Sequence, residues 1–130
     1  MIRTDQPRVL IADDEKHIRV MMKAVIKRMN YKLAGEAEDG QGAIDLYKET
    51  RPDILLLDIK MPVKSGVEVL KEIIEFDPKA FVIILTSVAD DATIETCLSA
   101  GAANYTQKNA TIVDIKNIIS DSWKKFNENK

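Results

Sequence analysis

Residues 53–66 read DILLLDIKMPVKSG, an unbroken apolar run that ends in an aspartate and continues into a loop with Pro and Gly. A strand that is apolar on both faces is typical of a parallel sheet covered by helices on both sides. Two further runs, RVLIA and FVIIL, have the same character, and two weaker runs accompany them. The five predicted strands are residues 8–12, 32–37, 53–57, 81–85 and 103–106.

A segment with helical spacing follows each predicted strand. Apolar residues recur at i, i+3, i+4 and i+7 within residues 18–29, 67–74 and 112–126. Two shorter segments, residues 43–47 and 94–98, follow the same spacing. Strand and helix thus alternate five times, which predicts an open α/β fold built from right-handed crossovers.

Composition limits the possible functions. The chain has 130 residues, 45% of them hydrophobic, which suits one domain with one contiguous core. Its net charge of -2 and its aromatic content of 5% disfavour nucleic-acid binding as the main function. The single cysteine, Cys97, excludes an intrachain disulfide, so we expect a cytoplasmic location. No apolar run approaches the ~20 residues of a membrane span, so we expect no membrane insertion.

Polar residues cluster where the predicted strands end. They are Asp13, Asp14 and Glu15 after the first strand, Asp58 after the third, Thr86 and Ser87 after the fourth, and Lys108 after the fifth. Parallel strands bring these positions to one edge, where open α/β sheets bind ligands. Two carboxylates about 4 Å apart repel by roughly 4 kcal/mol at an effective dielectric of about 20, so we expect a bound cation. Oxygen ligands without His or Cys favour Mg2+, and one Asp is then free to form an acyl phosphate.

Four motifs resemble the receiver domain of two-component response regulators. In chain order they are VLIADDE, the D-x-x-M-P-x-x-x-G spacing from Asp58 to Gly66, LTS, and GAANYTQK. The resemblance covers residue 8 to about residue 126. It implies a flavodoxin-like (CheY-like) doubly wound sheet of five parallel strands in the order 2-1-3-4-5, with five helices. We expect residues 1–130 to be a single receiver domain without an output domain.

The resemblance also implies a metal site, position by position. Asp58 would be the phosphoacceptor. Asp14 and Asp58 would bind Mg2+ (or Mn2+) directly, and the Lys60 backbone carbonyl would be a third protein ligand. Asp13 would act on the metal through a water molecule.

Four further residues have roles that the resemblance implies. Thr86 and Lys108 would contact the phosphoryl oxygens, and Ser87 is the small residue that leaves space for the phosphate. Tyr105 would swing inward when Thr86 is drawn to the phosphate. The switched surface would be the face made by the fourth helix, the fifth strand and the fifth helix.

The chain departs from the family pattern at two positions. Asn109 follows Lys108 where receivers usually have a Pro joined by a cis bond. A cis bond before a non-proline residue costs ~3 to 4 kcal/mol, which disfavours it here, and we hypothesise that Lys108 still reaches the site. Lys60 stands where many members carry Asn, and its ammonium at the mouth of the site predicts slow self-dephosphorylation.

The resemblance implies a stand-alone response regulator rather than an enzyme with a separate substrate. The phosphodonor would be a sensor histidine kinase or a histidine phosphotransfer protein, and the effector a protein in trans, in a chemotaxis-type system or a phosphorelay. We expect a monomer or a weak phosphorylation-dependent dimer. Two alternatives remain: a pseudo-receiver that binds partners without phosphorylation, and a Mg2+-dependent phosphatase. A phosphatase normally needs a second Asp where Lys60 stands.

Overall fold

The structure, a computed structural model, describes residues 6–87 and 91–128. Its strands are β1 (Arg8–Ala12), β2 (Lys32–Ala37), β3 (Ile54–Asp58), β4 (Val82–Thr86) and β5 (Asn104–Gln107). Its helices are α1 (Lys16–Arg28), α2 (Gly40–Thr50), α3 (Gly66–Phe76), α4 (Asp91–Ser99) and α5 (Ile112–Glu128). No helix within the described ranges is long and apolar enough to cross a membrane.

The strands form one five-stranded sheet in the order β2-β1-β3-β4-β5, and every neighbouring pair is parallel. This arrangement confirms the predicted fold class and strand order. The topological switch point lies between β1 and β3, because the chain moves outward from β1 to β2 and then returns to the other side of β1. A crevice at the carboxyl ends of strands beside such a point is the usual ligand site of open α/β sheets.

The predicted bounds of three strands were wrong by one residue. β3, β4 and β5 begin and end one position later than residues 53–57, 81–85 and 103–106. The cause is that ladder pairing continues into the polar residues, where Asp58 lies opposite Leu85 and Thr86 opposite Gln107. Asp58 and Thr86 are therefore the last residues of their strands, so the sheet itself holds their backbone.

Two hydrophobic layers cover the sheet, one on each face. Alternate residues of each inner strand point to opposite faces, as in Leu55 and Leu56 of β3. One layer packs against α2, α3 and α4, and the other packs against α1 and α5. The central strands β3 and β4 are buried along their whole length. Such burial explains why their sequences are continuously apolar rather than alternating.

Candidate functional site

Three carboxylates meet at the carboxyl edge of the sheet. Asp13 and Asp14 follow β1, and Asp58 ends β3. One carboxylate oxygen from each residue lies within 4.8 Å of the other two. Asp13 is fully buried and Asp58 is 3% exposed, whereas Asp14 is exposed to solvent. The three residues therefore form an acidic cluster in which the Asp13 and Asp58 carboxylates are shielded from water and the Asp14 carboxylate is open to it.

The Lys108 ammonium lies inside this acidic cluster. Its Nζ atom is 2.8 Å from Oδ2 of Asp13 and 3.1 Å from Oδ2 of Asp58. Nζ also donates a 2.8 Å hydrogen bond to Oε1 of Glu15, whose side chain is on the solvent side. Because Lys108 is only 7% exposed, water screens these contacts weakly.

Lys108 reaches the site although Asn109 follows it. No peptide bond in the described residues is cis, so the Lys108–Asn109 bond is trans. The backbone is held instead by the adjacent strand, since the Lys108 N–H donates a 2.7 Å hydrogen bond to the carbonyl oxygen of Thr86. The neighbouring strand end thus directs the lysine toward Asp58.

Burial and the neighbouring charges shift the pKa values of this group. The pKa of Asp58 is raised from 3.8 to about 6, first by burial and next by the Asp13 carboxylate, against the opposing charge of Lys108. Burial alone would lower the pKa of Lys108, but its contacts with three carboxylates raise it. The hydrogen bond from Lys108 lowers the pKa of Glu15. At neutral pH, Asp58 is therefore mostly ionised beside a charged ammonium.

The oxygens of the cluster fit a divalent cation. Oδ2 of Asp13 and Oδ2 of Asp58 are buried and accept no hydrogen bond from any described residue. The Lys108 ammonium, 2.8 Å from the first and 3.1 Å from the second, offsets only part of their charge. With Asp14 and Glu15 included, four carboxylates face one ammonium. Unsatisfied carboxylate oxygens with excess negative charge are the ligands that Mg2+ prefers in proteins.

The remaining predicted site residues lie at the end of β4, in β5 and in the loop after β3. Thr86 is 5% exposed at the end of β4, and Ser87 is exposed directly after it. Tyr105 lies half-buried in β5 and packs against the hydrophobic layer on the α4 side. The Lys60 N–H is 3.2 Å from Oδ1 of Asp58, and the Lys60 residue is exposed at the rim.

The sequence motifs do not predict two of the observed contacts. The hydrogen bond between Glu15 and Lys108 joins residues 93 positions apart, and no periodic pattern indicates it. Arg19 on α1 is 8% exposed and donates a 2.8 Å hydrogen bond to the carbonyl oxygen of Asp13. A signal for Arg19 exists in the sequence. It follows Ile18 on the apolar stripe of α1, and a charged residue on such a stripe needs a buried partner.

Comparisons with known proteins agree with this geometry. The family model described as response regulator receiver domain matches residues 9–120. Among curated proteins, Protein CcdB of Bacillus subtilis is 44% identical over 101 residues, which cover 78% of this chain and 84% of that protein. Chemotaxis protein CheY of Thermotoga maritima is 40% identical with the same coverage.

A solved structure of a related protein has a similar fold. The crystal structure of the CheX-CheY-BeF3-Mg+2 complex from Borrelia burgdorferi matches with a TM-score of 0.85 and 28% sequence identity. The match covers 88% of this chain and 87% of that one. The sheet order, the acidic cluster and the family match agree, and the chain belongs to the response regulator receiver family of two-component signalling.

Proposed function

We propose that this receiver is a phosphorylation switch whose phosphoacceptor is Asp58. The observation that carries the proposal is the position of Asp58, a nearly buried carboxylate that ends a central strand between Asp13 and the Lys108 ammonium. Asp14 is exposed, so water stabilises its charge and lowers its reactivity.

The proposed reaction is the transfer of one phosphoryl group to Asp58 in a single step. An oxygen of the Asp58 carboxylate forms a bond to phosphorus, and the bond from phosphorus to the donor nitrogen or oxygen breaks. The leaving group takes the electron pair, so a phosphohistidine donor becomes a neutral imidazole after protonation. Receivers of this family act in signalling, and the only chemistry proposed for this chain is its own phosphorylation and dephosphorylation.

The metal ligands would be Asp14, Asp58 and the Lys60 backbone carbonyl, with Asp13 acting through water. When bound, Mg2+ or Mn2+ offsets the negative charge that gathers as a phosphoryl group approaches the carboxylates. The chain itself supplies the acidic cluster and keeps it partly shielded from water.

Lys108 and Thr86 would hold the transferred phosphoryl group. The ammonium is 3.1 Å from Asp58 and can shift its contact to a phosphoryl oxygen without moving far. Thr86 ends the neighbouring strand and directly follows Leu85, which is the ladder partner of Asp58. Ser87, which is small and exposed, leaves room at the entrance.

Phosphorylation would be read out through Tyr105 and the face formed by α4, β5 and α5. New bonds to Thr86 would bias a pre-existing equilibrium in which Tyr105 turns inward. A groove of about 450 Å3 between β5 and α5 supports this assignment, because a protein segment could dock there. The groove is lined by Asn104, Tyr105, Thr106, Gln107, Ala110, Asp114, Asn117 and Ile118.

The partners follow from this mechanism. The donor would be a sensor histidine kinase or a histidine phosphotransfer protein, and the effector would be a protein bound in trans in the cytoplasm. The curated relatives include chemotaxis proteins, which supports a chemotaxis-type partner, while a phosphorelay remains the other candidate. We expect a monomer that dimerises weakly, if at all, after phosphorylation.

Intact-mass analysis after incubation with acetyl phosphate and Mg2+ tests the phosphoacceptor. The parent should gain one phosphoryl group, and the gain should disappear in Asp58→Ala and in the presence of a chelator. Asp45→Ala is the matched control, because Asp45 is an exposed aspartate on α2. It should be phosphorylated like the parent.

Three results would contradict the proposal. An adduct that persists in Asp58→Ala would move the phosphoacceptor to another residue. A parent that neither forms an adduct nor binds beryllofluoride would favour the pseudo-receiver. Steady turnover of a phosphomonoester would favour the phosphatase.

A further inference from the structure

Arg19 is a buried charged residue that the proposed phosphoryl transfer does not use. Its Nε donates a 3.0 Å hydrogen bond to Oε1 of Glu36 on β2, and its Nη1 donates a 2.8 Å hydrogen bond to the carbonyl oxygen of Asp13. Nη2 lies 3.9 Å from the Glu38 carboxylate. Because a buried guanidinium is costly unless it is paired, these partners determine where Arg19 lies.

Three of the four polar atoms of Asp13 have hydrogen-bond partners in the described structure. The Asp13 N–H donates to the carbonyl oxygen of Ala37 at 3.1 Å, and Oδ1 accepts from the Glu15 N–H at 2.8 Å. The carbonyl oxygen accepts from Arg19. Only Oδ2 faces the acidic cluster. Asp13 is therefore held by β2, by α1 and by its own loop.

The direction of Asp14 depends on the same contacts. The Asp14 carboxylate makes no hydrogen bond or ion pair with the described residues, so the backbone decides which of its rotamers can reach Asp58. The peptide group between Asp13 and Asp14 carries the carbonyl oxygen that Arg19 holds. A rotation of that peptide would turn the Asp14 carboxylate away from Asp58.

We propose that Arg19 is a positioning residue of the Mg2+ site, which aims the Asp14 carboxylate at Asp58 by holding the peptide between Asp13 and Asp14. The inference rests on the proposed function in one respect, namely that Asp14 and Asp58 bind Mg2+. Arginine suits this role because its planar fork can donate to a carboxylate and to a carbonyl at once. Loss of a partner that orients a metal ligand typically weakens metal affinity by ~10- to 100-fold.

Isothermal titration with Mg2+ tests the inference on the parent, Arg19→Met and Lys23→Met. Lys23 is the matched control because its Nζ also bonds Glu36, at 2.8 Å, but it makes no contact with Asp13 in the described structure. Both variants remove one positive charge from α1 and one partner from Glu36. Arg19→Met should bind Mg2+ at least about tenfold more weakly, and Lys23→Met should stay within about twofold of the parent.

Amide nitrogen–proton NMR spectra without Mg2+ provide a second readout. The signals of Asp14 and Glu15 should shift in Arg19→Met and keep their positions in Lys23→Met. Only the first variant frees the peptide that carries the Asp14 N–H, and the Glu15 N–H bonds to the Asp13 side chain next to it. A general loss of stability would not move these two signals selectively. If Arg19→Met does not fold, Arg19→Lys carries the test, since lysine keeps the charge but lacks the planar fork that reaches Glu36 and the Asp13 carbonyl at once.

The outcomes separate this inference from the proposed function. A folded Arg19 variant with the Mg2+ affinity of the parent would overturn the positioning role. Equal weakening in Arg19→Met and Lys23→Met would also overturn it, because loss of charge alone would then explain the effect. A parent that binds no Mg2+ would overturn the proposed metal site and the inference together.

Discussion

The two loops beside the acidic cluster are held by different means. The loop of residues 13–15, between β1 and α1, is fixed by a hydrogen bond that it donates to β2, by one that it accepts from α1 and by one within itself. The loop of residues 59–65, between β3 and α3, is fixed by backbone hydrogen bonds and by close backbone packing at two glycines. Its Pro62 carbonyl oxygen accepts hydrogen bonds from the N–H groups of Gly40, at 3.2 Å, and Lys64, at 2.8 Å.

Two glycines make the close backbone packing around the loop of residues 59–65 possible. A Cβ at Gly66 would collide with the carbonyl oxygen of Asp58, and a Cβ at Gly40 would collide with the carbonyl oxygen of Lys64. The first loop therefore depends on the direction of donors and charges, whereas the second depends on the absence of side-chain atoms. Changes in charge and pH should act on the first loop, and changes in volume and backbone conformation on the second.

The largest expected effect is that of Gly66→Ala. The added methyl group forces β3 and α3 apart, and overpacking of this severity costs about 3 kcal/mol or more in the free energy of unfolding. Urea unfolding followed by circular dichroism measures the loss. Gly35→Ala is the control, because a Cβ there would meet Leu10 at an ordinary 3.6 Å. If both variants unfold at the urea midpoint of the parent, packing does not hold the second loop.

Lys60→Asn should change the lifetime of the phosphoryl group with little effect on folding. Lys60 is exposed at the mouth of the site, where its ammonium would pair with the phosphoryl group and obstruct the attacking water. An exposed ion pair contributes about 1 kcal/mol, so dephosphorylation should become roughly fivefold faster. The decay of phosphoprotein by intact mass measures this rate, with Lys71→Asn on α3 as control. Equal lifetimes for Lys60→Asn and the parent would refute the role of Lys60.

Val63→Asn should stabilise the second loop. Val63 has a φ of 72° and is 76% exposed. Its β-branched residue type is strained in this left-handed backbone conformation, and its exposed side chain gains no burial that would offset the strain. Asn tolerates this conformation, and the gain should be about 1 kcal/mol in thermal or urea unfolding. Val113→Asn, at a 63% exposed position in α5, should change stability little. Destabilisation by Val63→Asn would show that Val63 is not strained.

Glu36→Gln should produce a small, pH-dependent loss of stability. Hydrogen bonds from Lys23, followed by those from Arg19, lower the pKa of Glu36 below its ordinary 4.5 despite the opposing effect of burial. A lowered carboxylate pKa stabilises the fold above the unfolded pKa, and that contribution disappears as the pH falls through the folded pKa. The difference in the free energy of unfolding between the parent and Glu36→Gln should therefore be constant from pH 7 to about pH 5 and disappear at lower pH. A difference that does not depend on pH would show that the charge of Glu36 does not stabilise the fold. Glu49→Gln, at an exposed position, is the control and should show no such pH-dependent difference.

Most of the architecture could be predicted from local pattern. The apolar run of residues 54–57 predicts a strand buried on both faces, and the same reasoning finds β1 and β4. The ends of three strands were missed by one residue, because Asp58 and Thr86 look like loop residues yet pair with neighbouring strands. A propensity for loops is weaker than ladder hydrogen bonds to strands that are already in place.

Pattern along the chain is enough to predict the elements, the sheet class and the set of polar residues at the strand ends. The elements follow from periodicity within short stretches of chain, and the shared position of the polar residues follows from the general rule that parallel strands end at one edge. The contact of Lys108 with Glu15 and the hydrogen bond from Arg19 to the Asp13 carbonyl are visible only in the folded protein. The reason is physical: the direction of a hydrogen bond and the burial of a charge depend on atoms contributed by distant segments, and no local pattern encodes them.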